Sequence, residues 1–369
     1  MWNVSEIHPG GGENQTAPDA GLMSVWLRNT LLAVNGVLLL LLSLAGLVTN
    51  ALNMLVFGKT GLNTGINISF FALSAADFAC AALYVLEAVI MVDMSHLVRL
   101  PVDIVDLEYV VSYWLVSVVS FASWVTGIIS VERCLCIVMP VRVKRIVTRK
   151  LVVALIAAML VVQSLMLMAS LVLMQFEVIP AKSGEITLAP PSEVMDTDMQ
   201  ATSSELTRPQ ASDRPRVFME RSGFLTAFIT ALLFWATTVP ALACYIVIVV
   251  STTFLAVALR QRERWLQTLP GQTSHNIGKN RKLVTTVVAV SVIYIVCFSP
   301  GASAIVTYFA LPSQDALNVH VENLVFVLLS YAPIFQALSG MANIFVYFNM
   351  NARYRHDLKS LVGWGRTRA

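Results

Sequence analysis

Seven apolar stretches, each long enough to cross a bilayer as a helix, constrain this chain more than anything else in it. They are Leu31–Phe57, Ile66–Val92, Tyr109–Val138, Leu151–Gln175, Phe224–Leu259, Leu283–Leu311 and Leu324–Tyr347. Six hold at least 20 residues with no charge, and the second is broken by Asp77 and Glu87. A helix needs about 20 apolar residues to span. Backbone groups in lipid are satisfied only inside a helix or a closed barrel, and the alternating segments of barrel strands are not seen. The expected fold is therefore all-α, a seven-transmembrane helix bundle. Only 13% of the 369 residues are charged and 57% are hydrophobic. A soluble globule carries about 25% charge, so that class is excluded.

Charge sets the expected orientation. Of 25 Lys and Arg, 18 lie in the first, third and fifth connections, at the end of the third stretch, or in the C-terminal tail. Of 22 acids, 17 lie on the other side. The positive-inside rule then places the N-terminus outside and the C-terminus in the cytoplasm. No cleavable signal peptide is visible, so the first span is expected to act as its own insertion signal. Residues 1–30 form an extracellular tail with glycosylation acceptors at Asn3 and Asn14, residues 31–349 the membrane domain, and residues 350–369 a cytoplasmic tail. A third acceptor triplet, at Asn67, falls on the inner side and should stay unmodified. All five cysteines, Cys80, Cys134, Cys136, Cys244 and Cys297, lie in or at the ends of spans. No extracellular disulfide is expected, and reducing agent should leave surface folding unchanged. Mass mapping of a native disulfide would overturn this.

Ionisable residues at membrane depth mark functional sites by default. From Val110 to Val131 no side chain is charged; then Glu132 and Arg133 stand side by side, followed by Pro140 and the basic run Arg142, Lys144, Arg145. The pair is either a latch or a snorkelling anchor. Asp77 sits near mid-membrane, where a carboxylate costs roughly 2.5–3.5 kcal/mol, and must face the bundle interior, a cation or water. Glu87 lies about 15 Å further toward the outside at helical rise; it is either a pocket residue or an interfacial carboxylate. Asn50 needs a partner in lipid, which is either a packing contact or a functional one. The fourth stretch is a featureless run of Leu, Val, Met and Ala without tryptophan, and reads as lipid-facing packing. The second outer loop, Phe176–Ser222, is rich in Pro, Ser, Thr and acids and reads as largely disordered, or else as an acidic lip that steers cations. After the last span Tyr354, Leu358, Leu361 and Val362 recur at helical spacing, with Arg353, Arg355 and Lys359 between. This predicts a short amphipathic helix on the inner leaflet.

Taken in order, these features resemble the rhodopsin-like (class A) G-protein-coupled receptors over Leu31 to Val362. Glu132-Arg133-Cys134 is similar to the family's Asp/Glu-Arg-Tyr motif. Asn50 matches the first-helix asparagine, Leu73 to Asp77 the second-helix motif and Pro240 the fifth-helix proline. Cys297-Phe298-Ser299-Pro300 is similar to Cys-Trp-x-Pro, and Asn343 to Tyr347 to Asn-Pro-x-x-Tyr. The finer likeness is to a divergent invertebrate branch of chemosensory-type and peptide-type receptors. The resemblance implies that Arg133 engages a heterotrimeric G protein when the sixth helix swings outward, with Arg142, Lys144 and Arg145 in the docking surface. Phe298, beside Pro300, would be the rotamer-sensitive switch, and Asp77, Asn50, Asn343 and Tyr347 would join a buried polar network. Departures are equally visible. Ile344 replaces the seventh-helix proline, Ile248 the fifth-helix tyrosine (with Tyr245 nearby), and Glu108 stands near the place of the usual third-helix cysteine. Leu115, at the amine-receptor aspartate, argues against a monoamine, and Ala337, at the opsin lysine, against retinal. Ala122 weakens the sodium site that the family builds around Asp77, although Ser339 and Asn343 remain.

The expected function is that of a plasma-membrane receptor that binds an extracellular chemosensory cue or peptide and activates heterotrimeric G proteins. Glu87 and Leu115 are pocket candidates. The bilayer is the other partner; no cofactor, nucleic acid or enzymatic activity is expected. A transporter or ligand-gated channel is the alternative, with Asp77 and Glu87 as ion sites. It would show internal repeats or broken helices, which are not evident. An intramembrane enzyme lacks its catalytic pairs here.

Overall fold

The computed structural model describes residues 25–96, 107–138, 147–173, 175–179, 216–220, 223–267, 285, 288–303, 319–350 and 352–363. Eight helices account for nearly all of them. They are α1 Val25–Thr60, α2 Gly65–Met94, α3 Leu107–Val138, α4 Arg149–Leu173, α5 Gly223–Gln267, α6 Val288–Ser303, α7 Val319–Met350 and α8 Ala352–Val362. Six of these (α1 to α5 and α7) are long and apolar enough to cross a membrane, and α6 is a shorter apolar helix.

Local chemistry sets several boundaries. α1 stops where Gly61 takes a φ of +96°, the left-handed conformation that closes a helix cheaply only at glycine. Thr64 then caps α2 by accepting from the Asn67 backbone N–H at 3.4 Å, while Asn67 Nδ2 returns to the Gly61 carbonyl at 3.0 Å. Thr148 caps α4 in the same way through Leu151 N–H at 3.2 Å. In α6, Pro300 has no N–H to give the Val296 carbonyl; the Ser299 hydroxyl donates to that carbonyl at 3.0 Å instead. α5 and α7 accommodate Pro240 and Pro333 within their lengths.

Three expectations need correction. The second outer loop is not wholly irregular, because Gln175–Ile179 (β1) and Arg216–Glu220 (β2) pair antiparallel, Glu177 opposite Phe218. Both strands are richer in apolar and β-branched residues than the loop they flank, whose average composition hides them. α5 continues as helix through Arg260, Arg262 and Arg264, past Leu259, where the fifth apolar stretch ends and a connection was expected. α1 begins at Val25, inside the segment assigned to the N-terminal tail.

α1 packs against α2 and α7, α3 against α2, α4 and α5, and α8 folds back on α1 and α7. Two apolar clusters form the interior. One, at the end that carries α8, includes Phe57, Phe70, Leu73, Phe121, Val125, Tyr347 and Tyr354. The other, at the opposite end, includes Leu39, Tyr84, Met91, Val111, Leu115 and Ile334. α1 meets α2 tightly at Gly36, where a Cβ would stand 2.9 Å from Val92 Cγ2 and 3.1 Å from the Ala88 carbonyl oxygen. Small residues at such crossings let helix backbones meet. Gly36→Ala is expected to destabilise the seam by about 1–3 kcal/mol, the usual cost of overpacking. Thermal unfolding of the purified chain checks this, and an unchanged midpoint would mean that the helices separate freely here.

Candidate functional site

Between the two apolar clusters lies a cavity of about 50 Å³ lined by residues of α1, α2, α3, α6 and α7. At roughly 10–15 Å³ of such volume per water, it has room for a few water molecules. Asp77, Asn50, Asn343, Ser339, Tyr294 and Phe298 all contribute to its wall. Asn343 Nδ2 donates to Asp77 Oδ2 at 2.8 Å, joining α7 to α2. Gly340, one turn before Asn343, lets the helices meet: a Cβ there would stand 3.3 Å from Asp77 Cγ. Asn50 Nδ2 donates to the Gly46 carbonyl at 3.0 Å and reaches the Gly340 carbonyl at 3.4 Å. Asn53 Nδ2 then donates to Asn50 Oδ1 at 3.2 Å, and the Tyr354 hydroxyl donates to Asn53 Oδ1. A continuous polar line therefore runs from Asp77 and α7 through α1 to α8.

The sodium reading of Asp77 can be tested on its donors. Ser339 and Asn343 do line the same cavity, but the Asn343 amide turns its N–H to the carboxylate and Ala122 offers no side-chain oxygen. Among the described residues no cluster of three His, Cys, Asp or Glu is placed to hold a metal ion.

Phe298 is buried between two tyrosines, stacked on Tyr294 and tilted against Tyr245, with both ring centroids 5.3 Å away. Tyr245 also approaches the Ile295 carbonyl at 3.5 Å, so it ties α5 to α6, while Ile248 is fully buried. Pro300 sits in α6, half-buried. At the α8 end, Arg133 is buried and its guanidinium meets Glu132 Oε1 at 2.7 Å. Among the described residues, Glu132 Oε2 and Arg133 Nε are buried with no partner, so the pair holds unused hydrogen-bonding capacity. Tyr347 is buried in the aromatic cluster, and its hydroxyl has no partner either.

Glu87 and Leu115 lie at the opposite end, buried with the second apolar cluster and outside the cavity wall. Asn3, Asn14, Arg142, Lys144 and Arg145 fall outside the described residues. Tyr354 does not belong to a leaflet-facing stripe as expected. It is 1% exposed against Phe57 and Tyr347, while Leu361 and Val362 of the same helix are exposed.

Sequence reasoning missed a second polar system. Ser117, Ser123 and Ser130 lie along one buried stripe of α3. Ser117 donates to Gln163 of α4 at 2.8 Å. The Ser123 hydroxyl meets that of Tyr294 at 2.5 Å, and that of Ser130 meets Ser291 at 2.9 Å, both on α6. The signal was the recurrence of hydroxyls every three or four residues, Ser117, Ser120, Ser123, Thr126 and Ser130, in a stretch otherwise read for its lack of charge. Gln163 corrects the reading of α4 as featureless. Tyr84 likewise donates to Gln336 of α7. The five thiols are all free, and Cys80, Cys244 and Cys297 are buried.

Together these features define a helical protein with six membrane-length helices among the described residues and a small cavity enclosed by α1, α2, α3, α6 and α7. No family model matches the chain, and no curated protein matches it.

Proposed function

We propose that this chain is a seven-span receptor of the rhodopsin-like type, with α6 as the remaining span. It would sit in the plasma membrane with its N-terminus outside, bind an extracellular chemosensory cue or peptide, and activate heterotrimeric G proteins. The observation that carries this reading is the meeting of Asp77, Asn50 and Asn343, far apart in sequence, around one buried cavity.

The mechanism is a shift between two packings. In the packing described, α6 is held to α3 by Ser123–Tyr294 and Ser130–Ser291, and the Arg133 guanidinium is occupied by its neighbour. A ligand that favours an α6-outward packing shifts the population only by its differential affinity for the two states. Outward movement would open the Ser123–Tyr294 and Ser130–Ser291 contacts, and an arriving partner would then compete with Glu132 for Arg133. The reciprocal holds: a bound G protein would tighten ligand binding by the same factor.

The test is GTP exchange over a panel of G proteins, in membranes expressing the chain or its Arg133→Ala variant, with tissue extracts as the ligand source. The expected result is exchange that requires the chain and falls to background with Arg133→Ala at equal surface expression. Exchange left intact by Arg133→Ala would overturn the latch role.

A further inference from the structure

Asn50 and Asn53 stand three residues apart on α1, so their side chains share a face. Both are buried. Asn53 Nδ2 donates to Asn50 Oδ1 at 3.2 Å, and the Asn50 amide is itself held by the Gly46 carbonyl of its own helix at 3.0 Å. An amide tied through its N–H cannot turn over without setting donor against donor. The direction in which Asn53 presents Oδ1 is therefore fixed inside α1. That oxygen accepts from the hydroxyl of Tyr354, the buried residue of α8. Three more bonds join the same two helices at their solvated rim. Thr60 Oγ1 donates to Asp357 Oδ2 at 2.9 Å, Arg353 Nη2 donates to the Thr60 carbonyl at 3.0 Å, and Lys59 Nζ donates to Ser360 Oγ at 3.0 Å. Positions 353, 354, 357 and 360 form one face of a helix, so α8 turns that whole face to α1. The rim bonds can be exchanged for bonds to water; the buried Tyr354–Asn53 bond cannot, and breaking it leaves two orphaned groups.

α7 is held in another way. α8 follows it in the chain after the single residue Asn351, and Asn343 anchors it to Asp77 of α2. Beyond that anchor its inner end meets α1 through the ring of Tyr347, edge-on to Phe57, and the Tyr347 hydroxyl has no partner among the described residues. The Asn50–Gly340 contact is, at 3.4 Å, the longest bond of the polar line. Ring packing is non-directional, whereas a hydrogen bond demands a distance and an angle. We propose that α1 and α8 form one body, clasped at Asn53 and Tyr354, and that the inner end of α7, Ile344–Met350, moves against it about the α7–α8 junction. This goes beyond the receptor reading and does not depend on it. In the shift between two packings, α8 is then a fixed floor, and a partner that bears on α8 acts on α1.

Amide hydrogen exchange of the full-length chain in lipid nanodiscs, read by mass over α7 and α8, tests the clasp. Tyr354→Phe keeps the ring and deletes the hydroxyl. It should speed exchange across Ala352–Val362 by about three- to tenfold, the size of one buried hydrogen bond between membrane helices. Asn53→Leu should do the same, and the double variant no more than either alone, because both remove one bond. Asn343→Ala frees α7 from α2; it should speed exchange over Ile344–Met350 and leave α8 as protected as before. Unchanged α8 protection in Tyr354→Phe would overturn the clasp, and so would an α8 loosened as much by Asn343→Ala as by Tyr354→Phe, since α8 would then ride with α7. Unchanged exchange over Ile344–Met350 in Asn343→Ala would overturn the movement of α7. If Asn53→Leu fails to fold, Tyr354→Phe and Asn343→Ala decide alone.

Discussion

Phe57→Ala is expected to cost about 3–5 kcal/mol, the range for deleting a buried aromatic ring, and to loosen α8 from the bundle. Phe57 is 2% exposed and stands at the centre of four rings. Its centroid lies 5.5 Å from Phe70, 5.2 Å from Tyr347 and 5.4 Å from Tyr354, the Tyr347 contact being edge-to-face. Aromatic pairs at these separations add about 0.5–1.5 kcal/mol each beyond the area they bury. Because the rings come from α1, α2, α7 and α8, no single helix can move in to fill the void. The melting midpoint should fall by roughly 6–20 °C, at about 2–4 °C per kcal/mol. Protease cleavage within Ala352–Val362 should rise in parallel. Tyr347→Phe makes the contrast. It keeps the ring and removes a buried hydroxyl that has no partner, so it should be neutral or slightly stabilising. A fall for Tyr347→Phe comparable to that for Phe57→Ala would show that the cluster is held by hydrogen bonding instead of by packing.

The second large effect is expected at Asp77. Asp77→Ala leaves the Asn343 amide, 5% exposed, facing a void, and an orphaned buried polar group costs about 1–3 kcal/mol. The cavity already beside it limits how far the structure can relax. Asp77→Asn combined with Asn343→Asp restores one carboxyl and one amide across the same 2.8 Å gap. The double exchange should recover most of the stability lost by Asp77→Ala. Melting of the single and double variants, set out as a cycle, measures the coupling. A coupling near zero would mean that the two side chains are neighbours without being partners. Gly340→Val should act like Asp77→Ala, since its Cβ would press on the carboxylate from α7.

Sequence by itself determined the helical class. Long uncharged stretches of this kind have no other way to satisfy their backbone in lipid, and all seven stretches contain helix among the described residues. Several helix ends were also written locally, since Gly61, Thr64 and Thr148 act through bonds within a few residues of themselves. Asp77, Asn50 and Asn343 were legible as candidates because polar groups are rare in such stretches, and rarity is a property of sequence.

Tertiary structure alone decided who meets whom. Asn343 and Asp77 are separated by 266 positions and Tyr354 and Asn53 by 301, and no periodicity fixes contacts at that range. The hydroxyl stripe of α3 carries no charge and so did not stand out until Tyr294, Ser291 and Gln163 were seen against it. Tyr354 looked like part of a surface stripe because spacing tells which residues share a face but not what that face is pressed against. Burial is settled by the neighbouring helices. Here they place an aromatic cluster over α8 and, among the described residues, leave Glu87 without a hydrogen-bond partner for its buried Oε2.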